Sequence, residues 1–273
     1  MSTAPAGRTV LAHVRRGSGE PVVLLHGIGG DRGVWDRVIP MLAGHHDVLA
    51  VDLPGFGDSP TLAPGDEPSP RRLAAAVAAT LDELRIERPH LVGNSLGGWI
   101  ALELAQRRPV ASVTLLSPAG LWRRRTPAYC RVSLLGTWWA CRRGAGVLHA
   151  LSRWPWSRRL VFWQILGHPE LATPGGAQGL VTAMGTGGGF RSTLAATLPI
   201  RFVRHGEIDA PVTLAFGTRD RILLPWQSRF THELPPQTIA AELRGAGHVP
   251  MPDAPDAVAA VVLATTARAV RSS

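Results

Sequence analysis

Three side chains that together can perform acyl transfer occur in settings that would expose them: Ser95 in "GNSLGG" (93–98), Asp220 in "GTRD" (217–220) and His248 in "GAGH" (245–248). A serine hydroxyl is a weak nucleophile at neutral pH and needs a base beside it. An imidazole titrates in the right range to take that proton and return it. A carboxylate would hold the imidazole in one tautomer and stabilise its cation. Gly93 and Gly97 stand two positions either side of Ser95, as a strand turning sharply into a helix requires, since side chains there would collide. The amide of Leu96 would open that helix, where an unpaired N–H and the helix dipole favour negative charge. A second amide, that of Ile28 in "LLHGIGGDRGVW" (24–35), is the best companion donor. Two such donors form an oxyanion hole, each worth about 3 kcal/mol of transition-state stabilisation. GxSxG alone is equally readable as a turn; the order serine, aspartate, histidine, with 28 residues from acid to base, gives it chemical meaning.

These residues need elements to carry them. The segments 21–27, 46–55, 89–95, 111–118, 210–217 and 237–243 are short, aliphatic and bounded by Gly or Pro, the composition of strands buried on both faces. Helical patterns lie between them at 69–86 (Ser69 as N-cap, Pro70 in the first turn), 97–107, 225–234 and 255–268. Alternating strands and helices predict an α/β fold: a mostly parallel central sheet flanked by helices on both faces, with ligands at the carboxyl ends of the strands. Residues 119–205 break the rhythm, with five tryptophans beyond Trp122 (Trp138, Trp139, Trp154, Trp156, Trp163), clustered arginines and "GTGGGF" at 185–190. This stretch is expected to form several short helices, the tryptophans gluing them together, and to cap a core made of 1–118 and 206–273.

Other polar residues have plainer readings. His26 is expected to hydrogen-bond structurally, Asp52 to form a turn before Pro54 and Gly55, Asp58 and Ser59 likewise, and Asp253 and Asp256 to cap the last helix. His45, His46, His149, His168, His205 and His232 show no metal-ligand spacing, so neither metal nor cofactor is expected. Cys130 and Cys141 read as reduced, buried thiols. The net charge of +9 comes with 29 arginines and no lysine, yet no nucleic-acid-binding motif accompanies it. A solvated arginine face is the plainer reading, with a weakly membrane-associated cap as a further one. The first 20 residues lack an apolar stretch of signal-peptide length, and no run of about 20 apolar residues could span a bilayer. The expectation is a cytoplasmic protein acting on a small molecule, with no nucleic-acid partner and no stable membrane insertion.

Five motifs in one order resemble the α/β-hydrolase family over nearly the whole chain: "HGIGG" its oxyanion loop, "DLPGFGDS" the turn after its next strand, "GNSLGG" its nucleophile elbow, "GTRD" its acid loop and "GAGH" its histidine loop. The resemblance implies a serine hydrolase with Ser95 as nucleophile, His248 as base, Asp220 as its orienting acid, and 119–205 as a lid. Serine at the elbow argues against the family's dehalogenases and epoxide hydrolases, which use aspartate there. Hydrolysis of a carboxylic ester, lactone or thioester is the first reading. Carbon–carbon cleavage of ring-fission dienone acids is the second: Asn94 fits their elbow, whereas Val249 replaces the tryptophan they often carry after the histidine. A non-hydrolytic binding or biosynthetic helper on the same fold is the reading of another class, marked by loss of a triad member, and none is missing here.

Overall fold

The computed structural model of the protein describes residues 10–271. Residues 1–9, which begin the stretch read above as carrying no signal peptide, and residues 272–273 lie outside the described residues. Seven strands, β1 (His13–Gly17), β2 (Pro21–Leu25), β3 (Asp47–Val51), β4 (His90–Asn94), β5 (Ser112–Leu116), β6 (Val212–Gly217) and β7 (Ile239–Leu243), form one sheet in the order β1-β3-β2-β4-β5-β6-β7. Only β1 runs antiparallel to its neighbour. The helices are α1 (Ile39–Ala43), α2 (Pro70–Glu83), α3 (Leu96–Ala105), α4 (Ala128–Leu151), α5 (Pro155–Val161), α6 (Pro174–Thr186), α7 (Phe190–Thr197), α8 (Pro225–Ser228) and α9 (Pro255–Arg271).

Strand periodicity divides the core in two. Val23, Leu25, Leu49 and Val51 face one cluster with Leu73 and Val77 of α2 and Trp99 and Leu102 of α3. Val22, Leu24, Val48 and Ala50, one residue out of phase, face the other with Leu42 of α1 and Val258 and Val262 of α9. Successive side chains of a strand point to opposite faces, so both faces must be apolar when helices cover both. Ser69 caps α2 by accepting from the Arg72 amide at 3.4 Å.

Four features differ from the sequence reading. β1, "HVRRG", was not expected to be a strand: it is an edge strand with three exposed residues, so it carries arginines where a central strand carries aliphatics. β7 is also an edge and mostly exposed, not buried on both faces. The helix expected over 225–234 stops at Ser228, because Arg229 leaves helical angles and the Phe230 amide donates to Leu121 O at 3.1 Å instead. Between β5 and β6, the expected short helices include one of 24 residues, α4, bent where Gly144 has φ −110° and ψ 16°.

Candidate active site

Ser95 joins β4 to α3 at the carboxyl end of the sheet, with φ +53° and ψ −114°. Such angles are strained for a residue with a Cβ and persist only where surrounding bonds fix them. Here they do: the Ser95 amide donates to Leu116 O at 3.0 Å, and the Ser95 carbonyl accepts from the amides of Gly98, Trp99 and Ala119 at 3.0, 3.2 and 2.9 Å. The flanking glycines are sterically required. A Cβ on Gly93 would lie 2.2 Å from the Gly97 carbonyl oxygen, and one on Gly97 would lie 2.2 Å from that of Leu25. Among the described residues, the amides of Ile28 and Leu96 donate no main-chain hydrogen bond. Both residues line the cavity into which Ser95 opens.

Asp220 and His248 come together across two loops. His248 Nδ1 is 2.9 Å from Asp220 Oδ2, while Asp220 Oδ1 accepts from the amides of Ile222 and Leu223 at 2.9 and 2.8 Å. Both side chains are buried. Burial opposes charge on Asp220, but the attraction and hydrogen bond of His248, with the two amides, hold its carboxyl below the usual range. The imidazole therefore spends one nitrogen on the carboxylate. Ser95 and His248 line one cavity of about 210 Å³.

Asn94, read in the sequence as a mark of substrate class, has a positioning role: its Nδ2 donates to Leu116 O at 3.0 Å and to His248 O at 2.9 Å. One amide thus ties the end of β4 to the end of β5 and to the histidine loop. The signal was available, since a buried amide inside a five-residue strand needs partners outside it. Asp253 does not cap the last helix. It is buried and accepts from the amides of Gly167 and, at 3.0 Å, His168, and so fastens the segment after α5 to the loop following His248.

His26 is structural. The Leu53 amide donates to its Nε2 at 2.9 Å, which assigns the proton to Nδ1, and Nδ1 donates to Gly27 O at 2.8 Å. Asp52 makes the expected turn, accepting from the Asp58 amide at 2.9 Å, and also accepts from the Arg32 amide at 2.7 Å and pairs with its guanidinium. Asp58 pairs with the same guanidinium at 2.6 Å, and Ser59 Oγ donates to Asp52 O at 2.8 Å. The two thiols are free and buried. The histidines hold one surprise. Glu20, His46 and His90, from the starts of three strands, bring one possible ligand atom each within 4.8 Å of one another, a grouping that sequence spacing does not reveal. Within the protein, His90 bridges Glu20 at 3.1 Å and Ser112 Oγ at 2.8 Å, and His46 Nε2 meets Thr266 Oγ1 at 3.1 Å.

The cavity walls are apolar. Cys130, Leu134, Cys141 and Leu148 of α4 line it together with Ile28, Ile165, Met184 and Leu223, and among the described residues no aspartate, glutamate or arginine lines it. The tryptophans of 119–205 behave differently from expectation: Trp138 stacks on Phe190 with ring centroids 5.7 Å apart, but Trp139, Trp154, Trp156 and Trp163 are exposed.

The model of the alpha/beta hydrolase family matches residues 22–261, from β2 into α9. The chain belongs to the alpha/beta hydrolase family. This hydrolase is 33% identical over 199 residues to epoxide hydrolase EphH of Mycobacterium tuberculosis, covering 70% of this chain and 91% of that one. It is 46% identical over 105 residues to a pimeloyl-[acyl-carrier protein] methyl ester esterase of Aeromonas hydrophila, a match spanning 38% of this chain and 39% of the relative. A thermophilic esterase from Thermogutta terrifontis shares its fold with a TM-score of 0.72 at 20% identity, over 95% of this chain and 93% of that one. Among the described residues, no helix is long and apolar enough to cross a membrane.

Proposed function

We propose that this protein hydrolyses a carboxylic ester, or a related lactone or thioester, of an uncharged apolar acid through an acyl-enzyme on Ser95. His248 Nε2 takes the Ser95 proton as Oγ attacks the carbonyl carbon, while Nδ1–H stays on Asp220 and the growing imidazolium is stabilised there. The carbonyl oxygen becomes an oxyanion facing the amides of Ile28 and Leu96 at the start of α3. Collapse of that intermediate expels the alcohol, protonated from Nε2, and leaves the acyl group on Oγ. Water, deprotonated by the same nitrogen, then releases the acid and restores Ser95. Residues 119–205 serve as the lid whose α4 walls the acyl pocket.

The observation that carries this reading is that Ser95 and His248 open into one cavity while Asp220 occupies the far nitrogen of the imidazole. Epoxide opening, the activity in the name of the mycobacterial relative, fits poorly: a serine oxygen attacking an epoxide carbon leaves an ether, which His248 and water cannot hydrolyse, whereas a carboxylate nucleophile leaves an ester. The dienone-acid reading also loses support. Such a substrate carries a carboxylate into the pocket, and among the described residues no arginine lines the cavity to pair with it.

A fluorophosphonate probe should label Ser95, located by peptide mass spectrometry, and p-nitrophenyl esters of short to medium chain acids should be turned over. A folded, unlabelled protein supports the non-hydrolytic helper instead. Turnover of a ring-fission dienoate with none of the esters would overturn the proposed substrate class.

A further inference from the structure

We propose that the outer face of α4 and α5 docks on an anionic lipid surface, bringing the apolar cavity at Ser95 against the membrane interface. Helix α4 is apolar on two opposite stripes. Cys130, Leu134, Thr137, Cys141 and Leu148 recur at helical spacing and line the cavity. Val132, Trp139 and Val147, spaced seven and eight residues apart, mark the other stripe and are 60–71% exposed. A helix in contact with water on one side carries polar residues there; apolar residues on both sides signal a second apolar environment. The next helix continues the surface. Trp156 and Leu160 stand four apart on α5 at 62% and 70% exposure, flanked by exposed Trp154 and Trp163, and α5 packs against α4.

Charge selects the occupant. Residues 119–205 contain twelve arginines and a single carboxylate, Glu170, a sum of +11, so the rest of the chain contributes −2 to the total of +9. Arg131 and Arg143 are exposed on α4 among the apolar residues, and Arg153 and Arg159 are exposed around α5. A second copy of this chain would set Arg131, Arg143 and Arg153 against their own counterparts, which disfavours self-association through this face. An anionic bilayer answers both features: tryptophan rings sit at the headgroup level, and guanidinium groups reach the phosphates while their stems stay in the apolar layer. The docking is peripheral, since it uses helices lying along the surface and requires no spanning segment. It is independent of the chemistry at Ser95.

The test is flotation of the full chain with vesicles of phosphatidylcholine alone and of phosphatidylcholine containing about a third phosphatidylglycerol, at low and high salt. The protein should float with the anionic vesicles and be released by salt. Trp139→Ser combined with Trp156→Ser and Leu160→Ser should weaken this binding at least tenfold, and Arg131→Glu with Arg143→Glu should do the same. Both variants should turn over a soluble short-chain ester within twofold of the parent, which also shows that they are folded. Ser95→Ala should float like the parent, so that loss of the proposed hydrolysis and loss of docking are read separately. The proposal is overturned if the parent stays unbound with anionic vesicles at low salt, or if the Trp139→Ser, Trp156→Ser, Leu160→Ser variant binds as tightly as the parent. It is equally overturned if light scattering shows the parent as a dimer and the Trp139→Ser, Trp156→Ser, Leu160→Ser variant as a monomer while neither protein floats. Binding to duplex DNA that depends on the arginines and not on the tryptophans, without flotation, would replace lipid by nucleic acid.

Discussion

Asp220 presents its two carboxylate oxygens to different tasks: Oδ1 closes the turn through the amides of Ile222 and Leu223, and Oδ2 holds Nδ1 of His248. The first task fixes the direction of the second. Asp220→Asn keeps an acceptor for the turn but offers an N–H to the imidazole, which must then present its own proton toward Ser95. On the proposed mechanism, kcat should fall by about 10³–10⁴-fold with little change in unfolding midpoint. A loss of less than tenfold would remove Asp220 from the reaction.

Ser95 sits at positive φ, where glycine alone is relaxed. Ser95→Gly should therefore abolish ester turnover while stabilising the fold. Relief of about 1–3 kcal/mol of backbone strain outweighs the roughly 1 kcal/mol that glycine adds to the entropy of the unfolded chain. Urea denaturation of the two proteins measures the difference, and a less stable glycine variant would count against stored strain at this turn.

Gly97→Ala would place a methyl group 2.2 Å from the Leu25 carbonyl oxygen, inside a contact made by backbone on both sides. Neither element can retreat, because α3 and β2 are both packed in the core. Destabilisation of about 3 kcal/mol or more is expected from the urea midpoint, within the range of severe overpacking. Gly136→Ala on α4, where a methyl group meets nothing within 4 Å, is the control and should be neutral or slightly stabilising.

The His26 ring is fully buried, and burial holds its pKa below the usual value, only partly offset by the Gly27 carbonyl and the charges of Asp52 and Asp31. The unfolded chain binds this proton more readily than the folded one. Stability should therefore fall as pH drops below about 6.5, by up to about 1.4 kcal/mol per pH unit until the lowered pKa is reached. Denaturation between pH 8 and 5 reads the slope. Burial lowers His46 and His90 as well, so His26→Asn should reduce the slope by one group's share without abolishing it, and an unchanged slope would assign the acid sensitivity to those other groups.

Asp253 joins two segments: the Gly167 and His168 amides after α5 and its own loop beyond His248. Its carboxyl is raised above the ordinary range by burial, against the pull of amide donors. Asp253→Ala would leave those amides unpaired in the interior, for a loss of about 2–4 kcal/mol. Hydrogen exchange should quicken first at 167–168, and uniform exchange across the chain would contradict a local clasp.

The central strands were legible because burial on both faces leaves continuous aliphatic runs, as "VVLL" and "VTLL" do. The meeting of Asp220 with His248 followed from motif order along alternating strands and helices. The edges were not legible: β1 carries two arginines that no buried strand would tolerate, and its partnership is visible only in the pairing of His13–Gly17 with β3. The reach of α8 was lost because the Leu121 carbonyl, more than a hundred residues away, takes the amide that would have continued the helix. Asp253 escaped as a positioning group for the same reason, since its partners are main-chain atoms distant in sequence, and for Asn94 the need for partners was readable but not which they are. The exposed tryptophans were misjudged because composition says how much apolar surface a segment has, not which way it faces.

The sulfurs of Cys130 and Cys141 stand in the wall of the same cavity as Ser95. Burial pushes Cys130 up to about 12, with a contribution from the nearby charge of Asp220, and Cys141 up to about 11. Thiolate is the reactive form, so neither sulfur competes as a nucleophile at physiological acidity. Electrophiles designed for hydroxyls can thus be delivered to this pocket without a background of alkylated cysteine, and alkylating reagents that spare hydroxyls should leave the enzyme working.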